Sequence, residues 1–148
     1  MKIELSESGK SLILWGAFLF LAGLLQGCVI PHFTIPRMGL SAHLAAVQSG
    51  MVLIIFGLIW QFITLGDKCL RIICYATITG MYLVWFAITL SAILGAGESL
   101  PIAGVGFSST PFNELLVGSI LTLGALLVIV ATVFIVRGLV SKPQETSK

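Results

Sequence analysis

The run LLVGSILTLGALLVIVATVFIV, Leu115–Val136, decides the fold. It carries no charged residue and is bounded by Glu114 before it and Arg137 after it. A helix needs about 20 apolar residues to cross the hydrocarbon core of a bilayer, and this stretch is long enough. Three further runs share its character, roughly Leu12–Ile30, Leu40–Leu65 and Cys69–Leu94. Across the 148 residues 57% are hydrophobic and only 9% charged, against about 25% charged in soluble domains. The expected fold is therefore all-α, a four-transmembrane-helix bundle forming one membrane domain over residues 1–148. Nothing outside the spans exceeds the length of a loop, so no soluble domain is expected.

The cations orient the bundle. Lys2 and Lys10 precede span one, Lys68 and Arg71 lie at the turn between spans two and three, and Arg137, Lys142 and Lys148 follow span four. Arg37 alone of the eight Lys and Arg residues falls on the opposite side. The positive-inside rule assigns the shared face to the cytoplasm, which gives an N-in/C-in, multi-pass protein of a bacterial inner membrane. The net charge of +2 reflects this topology, and no nucleic-acid partner is expected; the surroundings are lipid. Span one is longer than the apolar core of a signal peptide, and Gln26-Gly27-Cys28-Val29 offers no A-x-A-like cleavage site, so it reads as a retained helix.

The connections differ in character. Pro31 and Pro36 hold the first, Pro31–Gly39, out of helix. In the second, Gly66 is placed to stop span two and Asp67 to cap span three. The third, Gly95–Pro111, has four glycines, two prolines and one charge, Glu98, together with apolar residues suited to the outer interface. Thr110, Pro111 and Glu114 read as the start of span four. Cys28 lies at the opposite depth from Cys69 and Cys74, so the cysteines read as small buried hydrophobes. There is no Cys-x-x-Cys-His for covalent haem attachment. No Asp or Glu lies inside a span, which argues against a transporter built on a membrane carboxylate.

His43 stands at the outer mouth of span two. An ionisable or metal-ligating side chain there is costly without a partner, which makes it the leading functional candidate. At about 100° per residue, Ala46, Val47, Gly50, Ile54 and Gly57 face the same way. Two uses fit that small-residue stripe: close packing of another helix, or a face on which a flat macrocycle lies with histidine as axial ligand. On span three, Tyr82, Trp85, Phe86 and Thr89 share a face. Matching depths in the hairpin sets Ser49 opposite Trp85 and Ala45 opposite Thr89. The aromatic face is then either an aromatic wall for a small apolar ligand or a packed, lipid-facing surface.

Pro36-Arg37-Met38-Gly39-Leu40-Ser41-Ala42-His43-Leu44, Gly50-Met51, Gly57-Leu58-Ile59-Trp60, Trp85, Gly95-Ala96-Gly97 and Pro101-Ile102-Ala103-Gly104 closely resemble the hydroxylaminobenzene mutase family. More distantly the chain resembles styrene oxide isomerase, through Ala42-His43, Gly50-Met51 and Asp67-Lys68 with Arg71. The resemblance implies an integral-membrane isomerase with non-covalent haem b, His43 being the axial ligand of the iron. It implies a homo-oligomer, a trimer being favoured, with haem near subunit interfaces. The ferric iron would act as a Lewis acid in a redox-neutral rearrangement of a small apolar aromatic substrate, of the hydroxylaminobenzene to 2-aminophenol type or an aryl epoxide isomerisation. Arg37 is a candidate partner for a haem propionate or a lipid headgroup, and Ala46, Val47 and Gly50 are candidates for contact with the macrocycle. Ser49, Tyr82, Val84 and Trp85 are the candidate pocket residues. Two of these depart from the family pattern: both relatives carry Asn where this chain has Ser49 and Val84, and styrene oxide isomerase has a tyrosine where Ile88 stands. The competing reading is a non-catalytic haem protein for electron transfer or sensing. His32, the only other histidine, lies in a Pro-flanked loop and is poorly placed as a second ligand.

Overall fold

A computed structural model, describing residues 5–141, contains four long helices: α1 (Glu7–Gly27), α2 (Pro36–Ile59), α3 (Asp67–Leu94) and α4 (Pro111–Val140). All four are long and apolar enough to cross a membrane. Short 3-10 turns at Ile30–His32 and Trp60–Phe62 complete the fold, and no strand occurs among the described residues.

The helix ends depart from the sequence reading in two places. Pro36 does not keep the chain out of helix; it occupies the first turn of α2, where its missing N–H has no partner to lose. Arg37, Met38 and Gly39 are therefore helical. At the α2–α3 turn α2 ends at Ile59, well before Gly66, and Gly66 instead precedes α3 in an extended conformation as its N-cap. Asp67 is the first residue of α3 rather than its cap. The start of α4 follows the expected pattern: Thr110 Oγ1 accepts from the Asn113 N–H at 3.3 Å, and Pro111 fills the next position. Gly95, at φ 71°, closes α3 in the left-handed region.

Two seams of small residues hold the bundle together. Along α1, Gly9, Gly16 and Gly23 recur every seven residues, about two turns, and lie against Gly57, Gly50 and Ala46 of α2. A Cβ at Gly9 would sit 2.9 Å from the Gly57 carbonyl oxygen, and one at Gly16 2.8 Å from that of Gly50. Backbone thus touches backbone, the contact that drives helix association in lipid. The second seam joins α3 to α4: a Cβ at Gly80 would lie 3.0 Å from the Gly124 carbonyl oxygen. Beyond this seam α4 is largely bare, with Leu123, Leu126, Ile129, Val130 and Val133 exposed.

The end of the bundle that carries Pro36 and Gly95 is tied across it. The Ile35 N–H donates to Ala92 O at 3.1 Å, and Thr34 Oγ1 donates to Ile93 O at 2.7 Å. A small core of Ile35, Met38, Ala42, Ile88 and Ala92 lies beneath. The long Gly95–Pro111 loop winds around Glu114, whose side chain is 8% exposed. Its carboxylate accepts from the backbone N–H groups of Gly97 (3.1 Å), Glu98 (3.1 Å) and Ser109 (2.9 Å). One acid near a helix N-terminus, a position that favours negative charge, orders both ends of that loop.

Candidate functional site

His43 sits two turns into α2, half-buried against the last turns of α1. Its Nδ1 lies 2.7 Å from the carbonyl oxygen of Gly23. A Cβ at Gly27 would come within 3.0 Å of the ring's Nδ1 and Cε1, so the absent side chain there leaves room for the imidazole. A carbonyl oxygen can only accept, so this bond requires Nδ1 to carry the proton, and in that tautomer of imidazole Nε2 is the nitrogen left with a lone pair. The adjoining surface of α2, Leu40, Leu44 and Met51, is exposed and apolar.

Of the three residues singled out as neighbours for a macrocycle, Ala46 and Gly50 are buried under α1. A Cβ at Gly50 would meet the Phe20 backbone nitrogen at 2.6 Å, and one at Gly23 would meet Ala46 Cβ at 2.8 Å and Val47 Cγ2 at 3.0 Å. Within one chain this stripe serves helix packing, and of the three residues only Val47, half-buried, keeps an open edge. Arg37 is exposed and forms no ion pair among the described residues. His32 is exposed on the 3-10 turn. No cluster of three or more His, Cys, Asp or Glu able to hold a metal occurs among the described residues.

The four pocket candidates do not share one cavity. Ser49 and Val84 line a cavity of about 280 Å³ with Met81 and Ala125. Tyr82 and Trp85 line a different groove, of about 530 Å³, with Trp15 and Phe86. No α2 residue borders that groove, so the expected aromatic wall beside His43 is not formed within one chain. The reason is angular: consecutive helical residues point about 100° apart, so Val84 and Trp85 share a depth but not a direction. Matching depths in the α2–α3 hairpin also left out α1, which covers the Trp85 side.

What α1 contributes there went unread in the sequence. Gln26, 7% exposed, accepts from Trp85 Nε1 at 2.7 Å through Oε1 and donates through Nε2 to Thr89 Oγ1 at 3.0 Å. The Thr89 hydroxyl donates in turn to the Trp85 carbonyl at 2.9 Å. Tyr82 donates its hydroxyl to the Trp15 carbonyl at 2.9 Å. The available signal was the amide itself: a glutamine within an apolar span has to find partners on another helix. The last turns of α1 thus hold His43 of α2 by a backbone carbonyl and Trp85 of α3 by a side-chain amide.

Comparison with known proteins gives this geometry its context. Residues 8–140 match the family model described as styrene oxide isomerase. The chain is 40% identical over 100 residues to hydroxylaminobenzene mutase HabA of Ectopseudomonas oleovorans, covering 67% of this chain and 74% of the relative. It is 36% identical over 135 residues to hydroxylaminobenzene mutase HabB of the same organism, covering 90% and 82%. No solved structure matches the chain. A family match spanning all four helices, joined to two mutases alike over most of their length, shows that this four-helix membrane protein is an isomerase and belongs to the styrene oxide isomerase family.

Proposed function

We propose that the protein is a haem b-dependent membrane isomerase in which His43 is the axial ligand of the iron. Its substrate on this reading is a small aromatic molecule of the arylhydroxylamine or aryl epoxide class, rearranged without net redox change. The observation that carries the reading is the 2.7 Å contact between His43 Nδ1 and Gly23 O. Metal-ligating histidines typically donate their second ring N–H to a carbonyl or carboxylate, which fixes the tautomer and orients the ring. Here that partner is in place, and Nε2 keeps its lone pair. When bound, a ferric haem supplies an electrophilic metal able to stabilise charge developing on a substrate oxygen.

The remaining parts of the reading have their own support. Arg37, exposed and without an ion pair among the described residues, suits the carboxylate of a propionate. The bare apolar surface of α2 beside His43 supports a homo-oligomer, a trimer in this proposal, in which a neighbouring copy completes the site. The N-in/C-in orientation rests on the cation distribution, and the bacterial inner membrane is part of the same proposal. A non-catalytic haem protein is the second reading, favoured by one observation: Ser49 and Val84 face a common cavity without the amides that the family resemblance implies there. The deciding experiment is an absorption spectrum of detergent-purified protein. A Soret band is expected in the wild type and in His32→Ala and should be lost in His43→Ala. If His43→Ala keeps the wild-type band, the ligand assignment is wrong.

A further inference from the structure

The last turn of α1 has few contacts to hold it. Beyond Gly23, Leu24, Leu25 and Cys28 are exposed, and Gln26 is the one buried residue left in the helix. The glycine seam with α2 also ends at Gly23. At Gly27 the three atoms nearest a Cβ all belong to the His43 ring, at 3.0, 3.0 and 3.8 Å. On that side, then, the last turn of α1 faces the imidazole itself. On the other side Gln26 fixes it to α3, accepting from Trp85 Nε1 at 2.7 Å and donating to Thr89 Oγ1 at 3.0 Å.

Both partners of the amide are themselves held. The Trp85 ring meets Tyr82 edge-on, with centroids 6.1 Å apart and planes at 87°, and it packs against both hydrophobic cores. The Thr89 hydroxyl donates to the Trp85 carbonyl. One turn further along α3, the carbonyls of Ala92 and Ile93 accept from the Ile35 N–H and the Thr34 hydroxyl at the start of α2. Ile88 and Ala92 pack there against Met38 and Ala42, and the next residue of α2 is His43. From His43 the contact with Gly23 O returns to α1, and Gln26 lies three residues on. Three helices thus close a ring of contacts that passes through the imidazole and the amide.

A leucine would fill the place of Gln26 without carrying an amide into the bilayer, where a polar group is costly unless paired. What the amide adds is direction. Bonds to two different side chains of α3 fix how α1 is turned about its own axis. Carbonyls in a helix point toward the residue four positions on, so the Gly23 oxygen is aimed toward Gly27, the level at which the imidazole sits. We propose that Gln26 is the positioning residue for His43. By tying the last turn of α1 to Trp85 and Thr89, it holds the Gly23 carbonyl on Nδ1 and so keeps the Nε2 lone pair available to a metal. The role rests on the reading of His43 as an iron ligand. It also commits the Trp85 indole N–H to the protein, so that this group is not a donor to substrate.

The test reads the imidazole directly and without haem. His32→Ala leaves His43 as the one histidine of the chain. The full chain in that background, isotopically labelled at histidine nitrogen, is placed in phosphatidylcholine nanodiscs at about pH 8, above the ordinary histidine range. Nitrogen chemical shifts then give the tautomer, and the Nδ1–H form should dominate. Gln26→Leu should lower the Nδ1–H population at least about twofold, because the tautomer follows the hydrogen bond the ring makes. Trp85→Phe, which removes the donor to Oε1 and keeps an aromatic ring, should shift it the same way by less. Leu12→Ala opens a cavity in the core near the other end of α1. It should lower the melting temperature and leave the tautomer alone, which separates positioning from mere loss of stability. Should Gln26→Leu fail to fold, Trp85→Phe decides in its place. An unchanged tautomer in the deciding variant, an equal shift in Leu12→Ala, or an Nε2–H ring in the His32→Ala background would each overturn the proposal. The haem reading is decided separately, by the Soret band of His43→Ala.

Discussion

Gly50→Ala is the sharpest probe of how His43 is held, because it acts two helical turns away from it. A Cβ at position 50 would sit 2.6 Å from the Phe20 backbone nitrogen and 2.8 Å from both the Gly16 carbonyl oxygen and Phe20 Cβ. Two of these are backbone atoms that cannot rotate aside, and ordinary contact begins at 3.4 Å. α1 must therefore retreat by about 0.8 Å, the difference between 2.6 and 3.4 Å. If the helix moves as a rigid rod, the distance from His43 Nδ1 to Gly23 O grows from 2.7 to about 3.5 Å, beyond the ~3.2 Å within which N–H···O bonds fall. Overpacking of this kind costs about 1–3 kcal/mol. The measurements are thermal unfolding in nanodiscs and, in protein reconstituted with haem, the Soret maximum. Gly66→Ala, where a Cβ meets nothing within 4 Å, adds no packing clash and should leave the haem band at its wild-type position. The expected result is a less stable Gly50→Ala protein with an altered or lost haem band. Wild-type melting together with a wild-type spectrum would refute the claim that the α1–α2 seam sets the ligand.

Three further outcomes are expected. Introducing the family amides, Ser49→Asn with Val84→Asn, should raise 2-aminophenol formation from hydroxylaminobenzene above a low wild-type level, because a site that pairs a substrate's polar group discriminates strongly for it; an already efficient wild-type mutase would show those amides to be dispensable. Glu114→Gln replaces a carboxylate that accepts three backbone N–H groups and should cost about 1.5–3 kcal/mol, seen as faster amide exchange across residues 97–109 with little change in α1 or α2. A C-terminal reporter should be active on the cytoplasmic side only, and periplasmic activity would reverse the placement of His43.

The helices were legible because a bilayer sets one length scale and the apolar runs meet it. Their exact ends were less so, since Pro36 can exclude a helix or begin one, and only the backbone around it decides. Part of the geometry was legible: Ser49 and Val84 line one cavity, as their shared depth implied. The direction of each side chain around its helix was the harder quantity, as Val84 and Trp85 illustrate. Which helix covers the stripe of Ala46, Gly50 and Gly57 depends on a partner surface, and its pattern, Gly9, Gly16 and Gly23, stands seven residues apart in the same sequence. Gln26 gave no motif to follow, because its role arises only once α1 meets α3.

The two glycine seams also bear on how the protein is made. Each lies within a hairpin of consecutive helices, α1 with α2 and α3 with α4, and each brings backbone into contact without needing the other. A chain entering the membrane from the ribosome can therefore close its first pair of helices while the second is still being synthesised. The nascent α1–α2 pair already contains His43 and the Gly23 carbonyl that orients it, so that contact can form before any residue of α3 has left the exit tunnel. Trp85 and the aromatic groove arrive with α3, the Gly95–Pro111 loop can be tied down once Glu114 emerges, and the α3–α4 seam closes last, with Gly124.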